Sequence, residues 1–149
     1  MPINTPGLLY SKRQAEWKMI QDLLDGEKTI KDAGETYLPK LKAQDVDSYE
    51  NYKARGYLYD AVDKTRGGFL GAIMRKPVSY DVPAVLEPFM SEITLDKNSF
   101  NVLVSDVLDN LISSGFYGAL ADVQQLSIGS PKPYVSTYGP LNIINCFVS

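Results

Sequence analysis

The chain has 149 residues, 44% of them hydrophobic and 22% charged, which suits one domain with its own core and argues against disorder throughout. It has no histidine and one cysteine, Cys146, so Ser-His-Asp or Cys-His catalysis, histidine-ligated metals and an intrachain disulfide are all excluded. A net charge of −3 and a pI near 4.9 give no general attraction to nucleic acid, and the most basic run, Met74-Arg75-Lys76, is short.

The opening Met1-Pro2-Ile3-Asn4-Thr5-Pro6-Gly7-Leu8-Leu9 lacks the basic flank and apolar stretch of a signal peptide. Residues 1–10 read as an extended lead-in, and no apolar run approaches the ~20 residues that span a bilayer. The expectation is a soluble chain, cytosolic at synthesis, with no membrane partner. A first helix is predicted from Ser11 as N-cap to Gly26 as stop. Trp17, Ile20, Leu23 and Leu24 share its apolar face, with Lys12, Arg13, Glu16 and Asp22 opposite.

Residues 27–47 are polar and irregular, with a helical turn predicted around Lys28–Asp32. Asp47 or Ser48 then caps a second helix running from Tyr49 to about Met74. Leu58, Val62, Phe69 and Ile73 recur at helical spacing along it, with Tyr52, Tyr59 and Ala61 widening the stripe. Gly56, Gly67, Gly68 and Gly71 weaken this helix, so a break is expected near Gly67-Gly68, and Pro77 ends it. Residues 77–98 form a connector with one turn at Val85–Ile93. The clearest periodicity follows: Phe100, Leu103, Val104, Val107, Leu108, Leu111 and Ile112, capped by Asn98 or Ser99 and ended by Gly115. After it come a strand over Phe116–Val123, a turn at Gly129-Ser130-Pro131, a strand over Pro133–Tyr138 and a third extended segment over Asn142–Val148. Helices first and short antiparallel strands last make the fold α+β, in a single domain or domain fragment spanning residues 1–149. The end at Cys146-Phe147-Val148-Ser149, inside apolar material, suggests a fragment. Cys146 reads as a core or edge thiol.

Few residues point to chemistry. Arg66-Gly67-Gly68-Phe69-Leu70-Gly71 lacks the Gly-Lys-Ser/Thr of a phosphate loop and falls inside a helical pattern, which favours a kink or close helix packing. Asp45, Asp47 and Glu50 lack the glycine and closing glutamate of a calcium loop, so helix capping accounts for them. Asp106 and Asp109 occupy the polar side of their helix, and with Asp122 they make a poor two-metal set. No catalytic residue, metal ligand or cofactor site is assigned. The ten tyrosines are the unusual feature. Tyr49, Tyr52, Tyr57 and Tyr59 lie on or near the second helix, where tyrosines serve protein–protein contact well, offering large area with a polar handle.

Several short motifs occur in a telling order. The Trp17 helix leads to Asp25-Gly26-Glu27, then Ile30-Lys31-Asp32-Ala33-Gly34 and Tyr37-Leu38-Pro39-Lys40-Leu41. Tyr49-Glu50-Asn51-Tyr52-Lys53-Ala54-Arg55 and Gly71-Ala72-Ile73-Met74-Arg75-Lys76-Pro77 follow. Gly115–Asp122, Pro133-Tyr134-Val135-Ser136-Thr137-Tyr138 and Asn142-Ile143-Ile144-Asn145 close the series. In this order, from about Tyr10 to Asn145, the chain resembles the N-terminal part of tailed-bacteriophage portal proteins. The resemblance implies a non-enzymatic subunit of a dodecameric ring at one capsid vertex, through which double-stranded DNA is packaged and ejected. By this resemblance the segment looks like part of the outer α/β wing, without the family's channel helix and motor-facing clip. Implied partners are further copies of the chain, capsid, packaging-motor and head-tail connector proteins, and passing DNA held without sequence-specific contacts. The implied location is the virion, and the host cytoplasm during assembly. The alternative is a stand-alone prophage-encoded adaptor that binds a protein through its tyrosine-rich helix.

Overall fold

The computed structural model describes residues 4–124 and 131–145. Within them the order is α1 (Leu8–Leu24), α2 (Glu27–Asp32), α3 (Val46–Arg55), α4 (Ala61–Ile73), α5 (Phe100–Ser114), β1 (Gly118–Gln124) and β2 (Lys132–Tyr138), with short 3-10 turns at Gly34–Thr36, Glu87–Phe89 and Pro140–Asn142. The fold is α+β, helices first, as the sequence leads one to expect. None of the described helices is long and apolar enough to cross a membrane.

Trp17 is the centre of the packing. Its indole is 2% exposed. It donates from Nε1 to the Ser114 carbonyl at 3.0 Å, stacks on Phe116 at 5.5 Å and meets the edge of Tyr10 at 6.2 Å. A residue in the middle of α1 thus fastens that helix to the last turn of α5 and to the lead-in to β1. The Ser114 carbonyl is free to accept because α5 ends there, with Gly115 in the left-handed conformation (φ 66°) that a glycine reaches at no steric cost.

Helix α1 begins at Leu8, earlier than the expected Ser11. Gly7 is the N-cap, and the Ser11 amide bonds the Gly7 carbonyl at 3.0 Å, so Ser11 belongs to the first turn. The C-terminal segment secures that start. Gly7 N donates to Ile144 O at 2.8 Å, and Asn145 Nδ2 donates to Thr5 O at 2.6 Å. The third extended segment expected over Asn142–Val148 is therefore not a strand in its described part. Asn142 closes a 3-10 turn, and Ile143–Asn145 have no regular structure, with the Ile144 carbonyl and the Asn145 side chain bonded at the head of α1. Gly129 and Ser130 of the expected turn lie outside the described residues, as do Cys146 and the rest of that segment.

Asp22, placed on the solvent face by periodicity, is instead 4% exposed. Its carboxylate pairs with Lys18 one turn earlier and accepts from Tyr37 Oη at 2.7 Å. Tyr37-Leu38 thereby joins two helices, because the Leu38 carbonyl also accepts from Tyr49 Oη of α3 at 2.8 Å. Helix α3 is capped by Asp45, whose carboxylate accepts from Ser48 N at 2.7 Å, two or three residues ahead of the expected caps.

The long second helix does not exist as one element. It breaks at residues 56–60, not at Gly67-Gly68, which sit inside α4 without a break. Gly56 leaves helical geometry at ψ 141°, and Asp60 starts a new helix by accepting from Asp63 N at 3.2 Å. Between them, Glu27 Oε2 accepts from Leu58 N at 3.1 Å, and Lys31 with this amide holds the Glu27 carboxyl below its ordinary pKa. A good N-cap beside a glycine outweighed the apolar spacing.

The two strands form one antiparallel sheet, with Gly118 opposite Tyr138 and Gln124 opposite Lys132. Beyond β2, Val135 N donates to Ile93 O at 2.8 Å, which ties the connector to the sheet.

Two outcomes test this arrangement. Trp17→Ala is expected to cost about 3–5 kcal/mol, a large part of a small domain's stability, in chemical denaturation. The Lys18 ammonium, then the Tyr37 hydroxyl, lowers the Asp22 pKa on folding. A carboxyl of this kind contributes stability above its unfolded pKa of about 3.9, lost as pH falls through the lower folded value. Acid unfolding curves of Asp22→Asn should lose that step while keeping the rest.

Candidate functional site

The four tyrosines singled out from the sequence separate in space. Tyr49 is 7% exposed and belongs to the core, its hydroxyl spent on Leu38 and its ring flanked by Lys53 Nζ at 4.9 Å and Lys40 Nζ at 5.9 Å. It cannot present its ring to a partner. Tyr52, Tyr57 and Tyr59 are 43%, 82% and 67% exposed. Tyr52 points outward because it lies three positions after the buried Tyr49 at the edge of the packed face of α3, their ring centroids 6.2 Å apart. Tyr57 and Tyr59 project from the break between α3 and α4, where extended backbone sends alternate side chains to opposite sides. Leu58, between them, is turned inward.

Tyr52 and Tyr57 border a cleft of about 180 Å³ with Ile30, Leu38 and Leu58 on its walls and Glu27 and Lys31 at its rim. Tyr59 stands apart, with Lys64 Nζ 4.8 Å from its ring. The structure thus joins two of the four tyrosines in one recess, with a third on the neighbouring surface.

Helix α4 contributes the feature that periodicity misassigned. Val62, Phe69 and Ile73 repeat as a core stripe would, yet they are exposed, Phe69 by 58% and Ile73 by 53%. Helix α4 buries no residue fully. It leans on α1 and α5 across a cleft of about 420 Å³ lined by Ile20, Val62, Phe69 and Ile112, and Arg66 ties it to α5 through Asp109 at 2.9 Å. The glycines of α4 pack against nothing: a Cβ on Gly67, Gly68 or Gly71 would meet no atom within 4 Å. The close helix packing expected of them is not present, and α4 runs through them without a break. The exposure of this stripe has no counterpart in the sequence, which records that residues are apolar but not whether a neighbour reaches them.

The scale of the exposure is unusual. The chain presents 10922 Å² to solvent, whereas a compact monomer of 16.5 kDa presents about 7,500 Å². Among the described residues only Trp17, Ile30, Tyr49, Met90 and Leu103 are buried hydrophobics. Surface of this kind, apolar and edged by tyrosines, is what protein–protein contacts cover.

The acidic residues have other occupations. Asp109 pairs with Arg66, Asp106 accepts from Tyr117 Oη at 3.0 Å, and Asp122 accepts from Tyr134 Oη at 3.3 Å. Asp45 caps α3.

Tyr57→Ser and Tyr59→Ser should leave monomer stability within about 0.5 kcal/mol, whereas Tyr49→Phe should cost about 1 kcal/mol through the lost bond to Leu38. Gly68→Ala should raise stability by roughly 0.5–1 kcal/mol, since the added methyl meets open space on a helix. Urea denaturation of the four variants checks both statements.

No protein-family model matches the chain, and no curated protein matches it.

Proposed function

We propose that the chain is a structural subunit, or the N-terminal portion of one, in a phage portal: a non-catalytic part of the head-tail connecting ring through which DNA is packaged and ejected. The observation that carries the assembly half of this reading is the uncovered apolar stripe of α4 beside exposed Tyr57 and Tyr59. A helix that leaves Val62, Phe69 and Ile73 in water forgoes about 25 cal/mol for each Å² of apolar surface, which a neighbouring subunit restores on contact. The portal half is supported by the order of motifs from the Trp17 helix to Asn142-Ile143-Ile144-Asn145.

Several of those motifs are structural ties. Tyr37-Leu38 joins α1 to α3, and Ile144-Asn145 clasps the head of α1. Further copies of the chain, capsid, packaging motor and connector are the partners this reading implies, in the virion and, during assembly, in the host cytoplasm. Passing DNA needs no sequence-specific contact.

A second reading, a stand-alone prophage-encoded adaptor, is favoured by one observation: Tyr52 and Tyr57 border a single recess, which suits one protein ligand.

Negative-stain electron microscopy with native mass measurement separates the two. The portal reading expects ring-shaped particles of one defined high order, lost in a Tyr57→Ser/Tyr59→Ser/Phe69→Ser variant that keeps its circular dichroism. Particles no larger than a dimer overturn it and leave the adaptor.

A further inference from the structure

Among the described residues, strand β1 has one edge in use and one open. Val135 of β2 directs its N–H to Ile93, away from β1, so Val135 and its partner Ala121 are a non-hydrogen-bonded pair. Alternation then turns the peptide groups of Leu120 and Asp122 into the ladder and those of Ala119, Ala121 and Val123 outward. Two facts agree with this phase. Pro133, opposite Val123, has no N–H to give, and Val123 N donates to the Asp122 carboxylate at 2.7 Å instead of to the sheet. Among the described residues nothing accepts from the N–H of Ala119 or Ala121, and nothing donates to the outward carbonyls of Ala119, Ala121 and Val123.

Soluble proteins defend such an edge with lysine, proline or a bulge. Gly118-Ala119-Leu120-Ala121-Asp122-Val123-Gln124 has none of these, its register is unbroken, and Asp122 is its one charged residue. A hairpin alone is marginal in water, whereas four strands make an ordinary sheet.

We infer that β1 pairs antiparallel with β1 of a second copy, about a two-fold axis through Ala121, giving the strand order β2-β1-β1-β2. An unfilled ladder calls for another extended strand, and this edge is complementary to itself. Centred on Ala121, the outward groups of Ala119, Ala121 and Val123 meet those of Val123, Ala121 and Ala119 in the other copy, so every donor finds a carbonyl. The Val123 amide exchanges its neighbour's carboxylate for the carbonyl of the other copy's Ala119. Asp122 falls opposite Leu120, so like charges do not face each other directly.

The side chains of Ala121 and Val123 border an apolar cleft of about 280 Å³ walled by Leu86, Phe89, Met90 and Ile93. A two-fold perpendicular to the sheet sets both copies' clefts on one face and merges them into a single apolar strip. The contact is isologous and closes on itself, unlike the head-to-tail contact of a ring. It goes beyond the portal reading and stands or falls separately.

The experiment compares the full chain with Ala121→Pro by sedimentation equilibrium and by amide hydrogen exchange followed residue by residue. Proline at 121 removes an outward N–H that β2 does not use, so β1–β2 pairing survives. The native chain is expected to form dimers that Ala121→Pro weakens at least about tenfold. Exchange at Ala119 and Ala121 should slow with rising concentration while Leu120 and Asp122 stay equally protected. A native chain monomeric into the millimolar range overturns the inference. So does association that Ala121→Pro leaves intact, or exchange at Ala119 and Ala121 that ignores concentration. If Ala121→Pro does not fold, the exchange data on the native chain decide. Dimers without rings uphold this contact and refute the portal reading; rings with unprotected Ala119 and Ala121 do the reverse.

Discussion

The bond from the Trp17 indole to the Ser114 carbonyl is what the rest of the arrangement depends on. It joins residues 97 positions apart, so closing it costs chain entropy that local helix formation cannot repay. The repayment is the burial of a large aromatic against Phe116 and Tyr10. With α1 fixed to the end of α5, Asp22 is carried under Tyr37, Tyr37-Leu38 is carried to Tyr49, and the segment after β2 is brought to the head of α1. Remove the indole and these ties lose their common frame.

Around that centre the core is thin. Helices α3 and α4 are held at their ends by capping and ion pairs, through Asp45, Asp60, Glu27 and Arg66, more than by buried apolar faces. Polar ties of this sort fix geometry while adding little net stability, because each exchanges one hydrogen-bonded state for another. The described residues therefore position surfaces that they do not themselves cover: the stripe on α4, the tyrosines of the 56–60 break and the outer edge of β1. Different contacts suit each, helix or side-chain packing for the first two and backbone pairing for the last.

Much of the architecture was legible in the sequence because local rules settled it. The repeat from Phe100 to Ile112 with Gly115 behind it defined α5, whose interior has no competing signal. Trp17 was rightly placed on an apolar face. Where two local rules compete, spacing alone does not decide: Gly56 with the Asp60 cap outweighs the spacing of Leu58, Val62, Phe69 and Ile73, so the one expected helix is two. Asp22 was misassigned because helical periodicity describes a single helix facing water, whereas Tyr37 and Lys18 close over that side chain. The tyrosines were legible as a cluster in sequence, but not in their division into a buried Tyr49 and exposed Tyr52, Tyr57 and Tyr59.

By itself, the sequence determined the class of the fold, helices followed by strands, and removed histidine- and disulfide-based chemistry, since those follow from residue types and short-range periodicity. Only the tertiary structure decided which apolar residues are covered, which carboxylate is buried and which edge of β1 pairs with β2. The physical reason is range. Capping, turns and amphipathic spacing act within a few residues, while burial and strand pairing depend on groups such as Ser114, Ile93 and Ile144, brought from far along the chain to partners their neighbours in sequence give no sign of.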